Sequence, residues 1–125
     1  MLIQPFEGGL RVIDTQVYKV KKASNVTLTD LVGDFQAGGT SFSWEDVIKI
    51  GTPNFVDEPV NPSGTEIADT FLHCATKVID INPNTNQTSV IYTLTGGLAP
   101  QNFPYAVQVP ADGVAQYLIT FIFTL

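Results

Sequence analysis

Hydrophobic positions in this chain recur with a period of two far more often than with the period of a helix, so strands are the elements to expect. Residues 10–22 are rich in Val, Ile, Thr and Tyr and read as one long or two short strands. From Asn25 to Leu31, Val26 and Leu28 fall on one face and Thr27 and Thr29 on the other. The stretch Thr40–Ile50 has two readings. With period two, Phe42, Trp44, Ile48 and Ile50 share a face that Asp46 interrupts; as a helix, Ser43 would cap it and Gly51 would close it. Such a helix would be barely two turns long and would spread its apolar residues around the axis, so the strand reading is preferred.

Strands resume at Thr70–Ile81, turn through Asn82-Pro83-Asn84-Thr85-Asn86 and return at Thr88–Leu94, the clearest hairpin signal in the chain. A short strand at Tyr105–Val109 leads through Pro110-Ala111-Asp112-Gly113 into the last one, Val114–Leu125. Along that strand Tyr117, Ile119, Phe121, Phe123 and Leu125 share a face. The opposite face sets Leu118 and Ile122 among Thr120 and Thr124, so the strand is expected to be covered on both sides. About seven strands, no convincing long helix and long Pro-rich crossovers predict an all-β fold, an antiparallel two-sheet β-sandwich of immunoglobulin-like or jelly-roll type.

Residues 1–9 read as a short N-terminal arm ahead of a single domain over 10–125. Leu2, Ile3 and Phe6 are apolar, Pro5 breaks a regular element, and Gly8-Gly9 makes a flexible joint. The segments 52–64, with Pro53, Pro59, Pro62 and Gly64, and 96–104, with Pro100 and Pro104, read as loops long enough to carry function. Phe55 and Phe103 lie on them and, with Leu2, Ile3 and Phe6, are the candidate partner-binding residues.

Composition narrows the function more by exclusion than by motif. The chain has 125 residues, of which only 14% are charged, with a net charge of −6. Residues 1–22 carry +2 and the remainder −8, so an acidic body argues against a nucleic-acid partner. The Lys19, Lys21, Lys22 cluster reads first as a solvated strand end. Cys74 is the one cysteine, so no disulfide can form within the chain. The start lacks a signal-peptide pattern and the apolar end is too short for a membrane helix, so a cytoplasmic protein, or a particle assembled there, is expected.

Chemistry is thinly staffed. His73 stands beside Cys74, but neighbours on a strand point to opposite faces and cannot act as a dyad. Asp80, Asn82, Asn84 and Asn86 start like a calcium loop, yet Thr85 stands where glycine is needed and Ile91 where the bidentate Glu belongs. Asp57 and Glu58, with Glu66 and Asp69, could pair as acid and base, but a Pro-rich loop more often just solvates such charges. No catalytic residue, metal site or cofactor is expected. Trp44, Phe55, Phe103, Tyr105 and Tyr117 form a possible sugar-stacking platform, the basis of an alternative reading as a carbohydrate-binding module or small lectin.

The segment Val109-Pro-Ala-Asp-Gly-Val-Ala-Gln-Tyr-Leu-Ile-Thr-Phe-Ile-Phe-Thr-Leu125 resembles the closing element of immunoglobulin-like and jelly-roll modules, in which a Pro-X-Asp-Gly turn feeds an aromatic-rich final strand. Short Thr- and Asn-rich chains with a flexible arm look like virion components of tailed phages, such as capsid decoration or cement proteins. The resemblance implies a non-enzymatic structural protein of the virion that binds capsid protein and its own neighbours, hence a homo-oligomer. A domain of a tail fibre or adhesin is the third reading.

Overall fold

The computed structural model describes residues 1–51 and 54–125, and among them there is no helix. Ten strands form two sheets: β1 (Leu2–Phe6), β2 (Gly9–Lys19), β3 (Thr27–Val32), β4 (Ala37–Trp44), β5 (Val47–Gly51), β6 (Glu58–Pro59), β7 (Phe71–Ile79), β8 (Gln87–Thr95), β9 (Gln101–Gln108) and β10 (Val114–Thr124). The larger sheet runs β1-β2-β10-β7-β4-β5 and the smaller β6-β3-β8-β9. Pairing is antiparallel except between β2 and β10, which run parallel from Gly9↔Val114 to Lys19↔Thr124.

The two sheets face each other across a core that buries Tyr18, Phe42, Leu72, Tyr92, Tyr117, Phe121 and Phe123. Rings interlock edge-on, as Phe103 of the smaller sheet meets Phe121 of the larger with centroids 4.9 Å apart. A polar chain also crosses the gap. The Asp30 carboxylate accepts from the Thr40 hydroxyl at 2.6 Å, Thr40 bonds Thr76 at 2.9 Å, and Thr76 bonds the Tyr92 hydroxyl. Asp30 also accepts the Phe55 N–H at 2.7 Å, while its own N–H donates to the Phe55 carbonyl, which draws the segment after β5 against the core.

Three strands exceed the expected seven, and the antiparallel expectation fails at β2–β10. The 40–50 stretch is a hairpin, because Glu45-Asp46 forms a two-residue turn with Glu45 at φ 51°. The 52–64 loop contributes β6, although Thr52 and Pro53 lie outside the described residues. Residues 1–9 are not an arm on a flexible joint. Leu2–Phe6 pairs with β2, and a Cβ on Gly9 would stand 1.9 Å from the Val114 carbonyl oxygen, so that glycine marks a tight backbone approach.

Candidate functional site on the outer face of the larger sheet

Alternation along each strand sends one set of side chains to the core and the other outward, and strand register then lines the outward set into rows across the sheet. One row reads Leu2, Ile13, Leu118, Ala75, Ser41, Ile50. Its neighbour on one side reads Thr15, Thr120, His73, Ser43, Ile48, and the next Val17, Ile122, Phe71. On the other side lie Gln4, Arg11, Gln116, Lys77, Gly39 and then Phe6, Gly9, Val114, Ile79, Ala37. Bands of apolar and polar residues thus alternate along the strand direction. Leu2, Val17, Ile48, Ile50, Phe71, Ile79 and Leu118 are all exposed.

Relief on this face follows from side-chain size. Gly39, Ser41 and Ala75 lie between Leu118 and Ile50, so the surface dips into an open trough of about 520 Å³. A second hollow of about 350 Å³ continues it past Ser43, His73 and Thr120 toward Ile48. The charges here are of one sign. Arg11, Lys19 and Lys77 occupy outward strand positions, and among the described residues no outward position of this sheet holds a carboxylate. Arg11 donates through Nε to Gln116 Oε1 at 3.1 Å and sits over the Phe6 ring, 5.4 Å from its centroid. His73 Nδ1 lies 3.0 Å from Thr120 Oγ1, and its ring stacks on Phe71.

The outward face of the smaller sheet is different. Thr27, Thr29, Ser89, Thr93, Thr95 and Asn102 dominate it, with Leu31 and Ile91 among them. Its hydroxyls bond one another and nearby side chains, as in Thr27 with Thr95 and Thr93 with Asn102. A surface so well satisfied offers a partner less than the apolar rows opposite.

Of the residues predicted to bind a partner, Leu2 stands on the apolar row and Phe6 at the foot of the same face, while Ile3 points to the other side of β1 and is exposed there. Phe55 and Phe103 cannot serve. They are 6% and 4% exposed, Phe55 packed on Phe42 and Phe103 on Phe121. The sugar platform of the alternative reading does not form either: Trp44, Phe55, Phe103, Tyr105 and Tyr117 are all buried, and Trp44 spends its N–H on the Thr70 hydroxyl. One aromatic that the pattern missed is fully presented. Phe35 is 92% exposed in the β3–β4 turn, with Asp34 and Phe35 both at positive φ.

The remaining polar constellations have structural partners. Cys74 is buried, which raises its thiol pKa, and the Asp30 charge adds to the rise; His73 points outward from the next position. Asp80 accepts from Gln36 Nε2 with one oxygen and from the Asp112 N–H with the other. Gln36 Oε1 accepts the N–H groups of Ile81 and Asn82, so this side chain braces the 80–86 turn. Glu58 pairs with Lys49 at 2.9 Å and Glu66 with Lys22 at 3.3 Å. Asp14 accepts from Tyr105 at 2.8 Å and lies 3.5 Å from the Met1 amino group. Burial alone would raise its pKa, but the bonds from Tyr105 and the Thr15 N–H and the nearby amino terminus outweigh it and hold the group below its ordinary value.

No protein-family profile, curated protein or solved structure matches the chain.

Proposed function

We propose that this chain is a non-enzymatic assembly protein, a β-sandwich that docks the outer face of its larger sheet onto a protein partner. One observation carries the reading. The final strand has the two-sided apolar pattern of a covered strand, yet among the described residues only one side of it is covered: Tyr117, Ile119, Phe121 and Phe123 are buried, whereas Leu118 is exposed. The same holds across the sheet at Phe71, Val17, Ile48 and Ile50. Exposed apolar rows of this extent mark interaction surfaces. Each such side chain contributes roughly 1.5–3 kcal/mol when fully buried, before the cost of association.

Charge defines the partner further. A face bearing Arg11, Lys19 and Lys77 without carboxylates suits an apolar surface edged with Asp or Glu. The likeness of residues 109–125 to the closing element of immunoglobulin-like and jelly-roll modules, together with the short, Thr- and Asn-rich composition that resembles virion components of tailed phages, favours a capsid shell as that surface, in the manner of a decoration or cement protein. Co-sedimentation from the native source tests the reading, with Leu118→Lys on the docking face and Leu31→Lys on the opposite sheet as a matched control. The wild type and Leu31→Lys are expected to travel with a larger assembly and Leu118→Lys to remain free. Equal behaviour of the two variants overturns the assignment.

A further inference from the structure

Each sheet has two free edges, and a free edge is a template for another strand unless something blocks it. Three of the four carry a proline: Pro5 in β1, Pro59 in the two-residue β6, and Pro104 in the middle of β9. In β1 the position can be worked out. The two-residue turn makes Phe6↔Gly9 the hydrogen-bonded pair, so Gln4 and Leu2 also bond inward while Ile3 and Pro5 turn their backbone groups outward. Pro5 therefore removes a donor from the open side.

β5 has no such block. By the same alternation from Trp44↔Val47, Lys49 and Gly51 bond to β4, and Ile48 and Ile50 direct N–H and C=O to the free side. Among the described residues, no backbone hydrogen bond reaches β5 from any strand but β4. Ile48 and Ile50 are 75% and 78% exposed, β-branched and uncharged.

We infer that β5 is the self-association edge of this protein, pairing antiparallel with β5 of a second copy about a two-fold axis at Lys49. The strand is complementary to itself in that register and uses both isoleucines only there. Ile48 of each copy faces Ile50 of the other, each pair exchanging two backbone hydrogen bonds, so four bonds join the copies. All four isoleucine side chains gather on the outer face, which makes the apolar rows of two sheets continuous. Lys49 meets the second copy's Lys49 across the axis on the opposite face. Like charges there would repel, but within its own copy each lysine is ion-paired with Glu58 at 2.9 Å and donates a hydrogen bond to the Pro59 carbonyl at 3.0 Å. An isologous contact of this kind closes at two copies instead of running on into fibres.

The inference concerns an edge that borders the proposed docking face and shares Ile48 and Ile50 with it; because self-association is read on the isolated chain with no partner present, the two can fail separately. Sedimentation velocity on the full chain over a wide concentration range reads the edge. The wild type is expected to dimerise and Ile50→Pro, which deletes an outward donor without touching the β4 ladder, to stay monomeric with little change in Tm. Ile48→Lys gives the same loss by placing charge in the isoleucine cluster, and serves if the proline variant folds poorly. Leu118→Lys is expected to dimerise like the wild type. A wild type that is monomeric throughout, or a dimer that survives Ile50→Pro or Ile48→Lys, overturns the inference.

Discussion

Replacing Asp30 by asparagine keeps the shape of the buried polar chain and reverses its donor arithmetic. The carboxylate only accepts, so the Thr40 hydroxyl must donate to it; Thr76 then donates to Thr40 and Tyr92 to Thr76. Every hydroxyl proton along the chain has an acceptor because the last group has no proton of its own. In Asp30→Asn the amide oxygen can still accept the Phe55 N–H, but the amide nitrogen now points a donor at Thr40. Either Thr40 keeps a proton without an acceptor, or the chain reverses and Tyr92 does, and the second amide proton has no acceptor in either arrangement. Two unsatisfied buried donors cost about 1–3 kcal/mol each. Relief from burying a charge returns part of this, since Asp30 is 2% exposed. A net loss of about 2 kcal/mol is expected, or a fall in Tm of roughly 6–10 °C for a domain of this size.

Chemical denaturation at neutral pH, checked by a thermal scan, measures the loss. Acid provides a second reading. Burial raises the Asp30 pKa against the pull of its bonds from Thr40 and Phe55, so the folded chain takes up this proton at higher pH than the unfolded one. Stability from this group therefore rises as pH falls through the raised value, and the variant lacks that rise. An Asp30→Asn protein as stable as the wild type would refute the donor arithmetic, because the buried charge would then cost more than the chain returns.

Other outcomes follow from the same structure. Asp14 has a lowered pKa, so its stabilisation is present above the ordinary value of 3.8 and is lost as pH falls through the folded value; Asp14→Asn should flatten the acid limb of a stability–pH curve. Gly96→Ala should destabilise by more than about 2 kcal/mol in denaturant titration, since φ is 91° and the new Cβ would lie 1.8 Å from the Asn25 carbonyl oxygen. Phe35→Gly should raise Tm slightly, because relief of positive-φ strain of about 1–3 kcal/mol outweighs the added freedom of the unfolded chain. Deleting residues 1–6 should lower Tm by a few degrees, as it removes cross-strand pairs worth about 0.2–1 kcal/mol each and the Met1–Asp14 ion pair; an unchanged Tm would return the segment to the status of a free arm.

The all-β character was legible because alternation is local. The opposed His73 and Cys74, the core positions of β10 and the 82–86 hairpin turn each follow from a few adjacent residues. What stayed hidden depended on turns without a signature or on distant pairing. Glu45-Asp46 offers neither Gly nor Asn, so a turn there reads as a flaw in one strand. The turn resets the phase, which moves Ile48 and Ile50 from the expected core face to the outer one. The parallel β2–β10 pair joins the two ends of the chain and leaves no local trace. Phe55 sits in an irregular segment yet is buried, because the Asp30 backbone and carboxylate hold it there from the smaller sheet. On the proposed binding face, the half-apolar outer side of β10 reads as a covered side, whereas among the described residues Leu118 on it is exposed.

Hydroxyl-radical footprinting of the chain, free and within the assembly isolated from its native source, tests the proposed docking face most directly. Leu118, Ile122, Phe71 and Val17 should lose reactivity in the assembly, while Leu31 and Ile91 on the smaller sheet keep theirs. Protection of Leu31 and Ile91 with Leu118 and Phe71 still reactive would contradict the account.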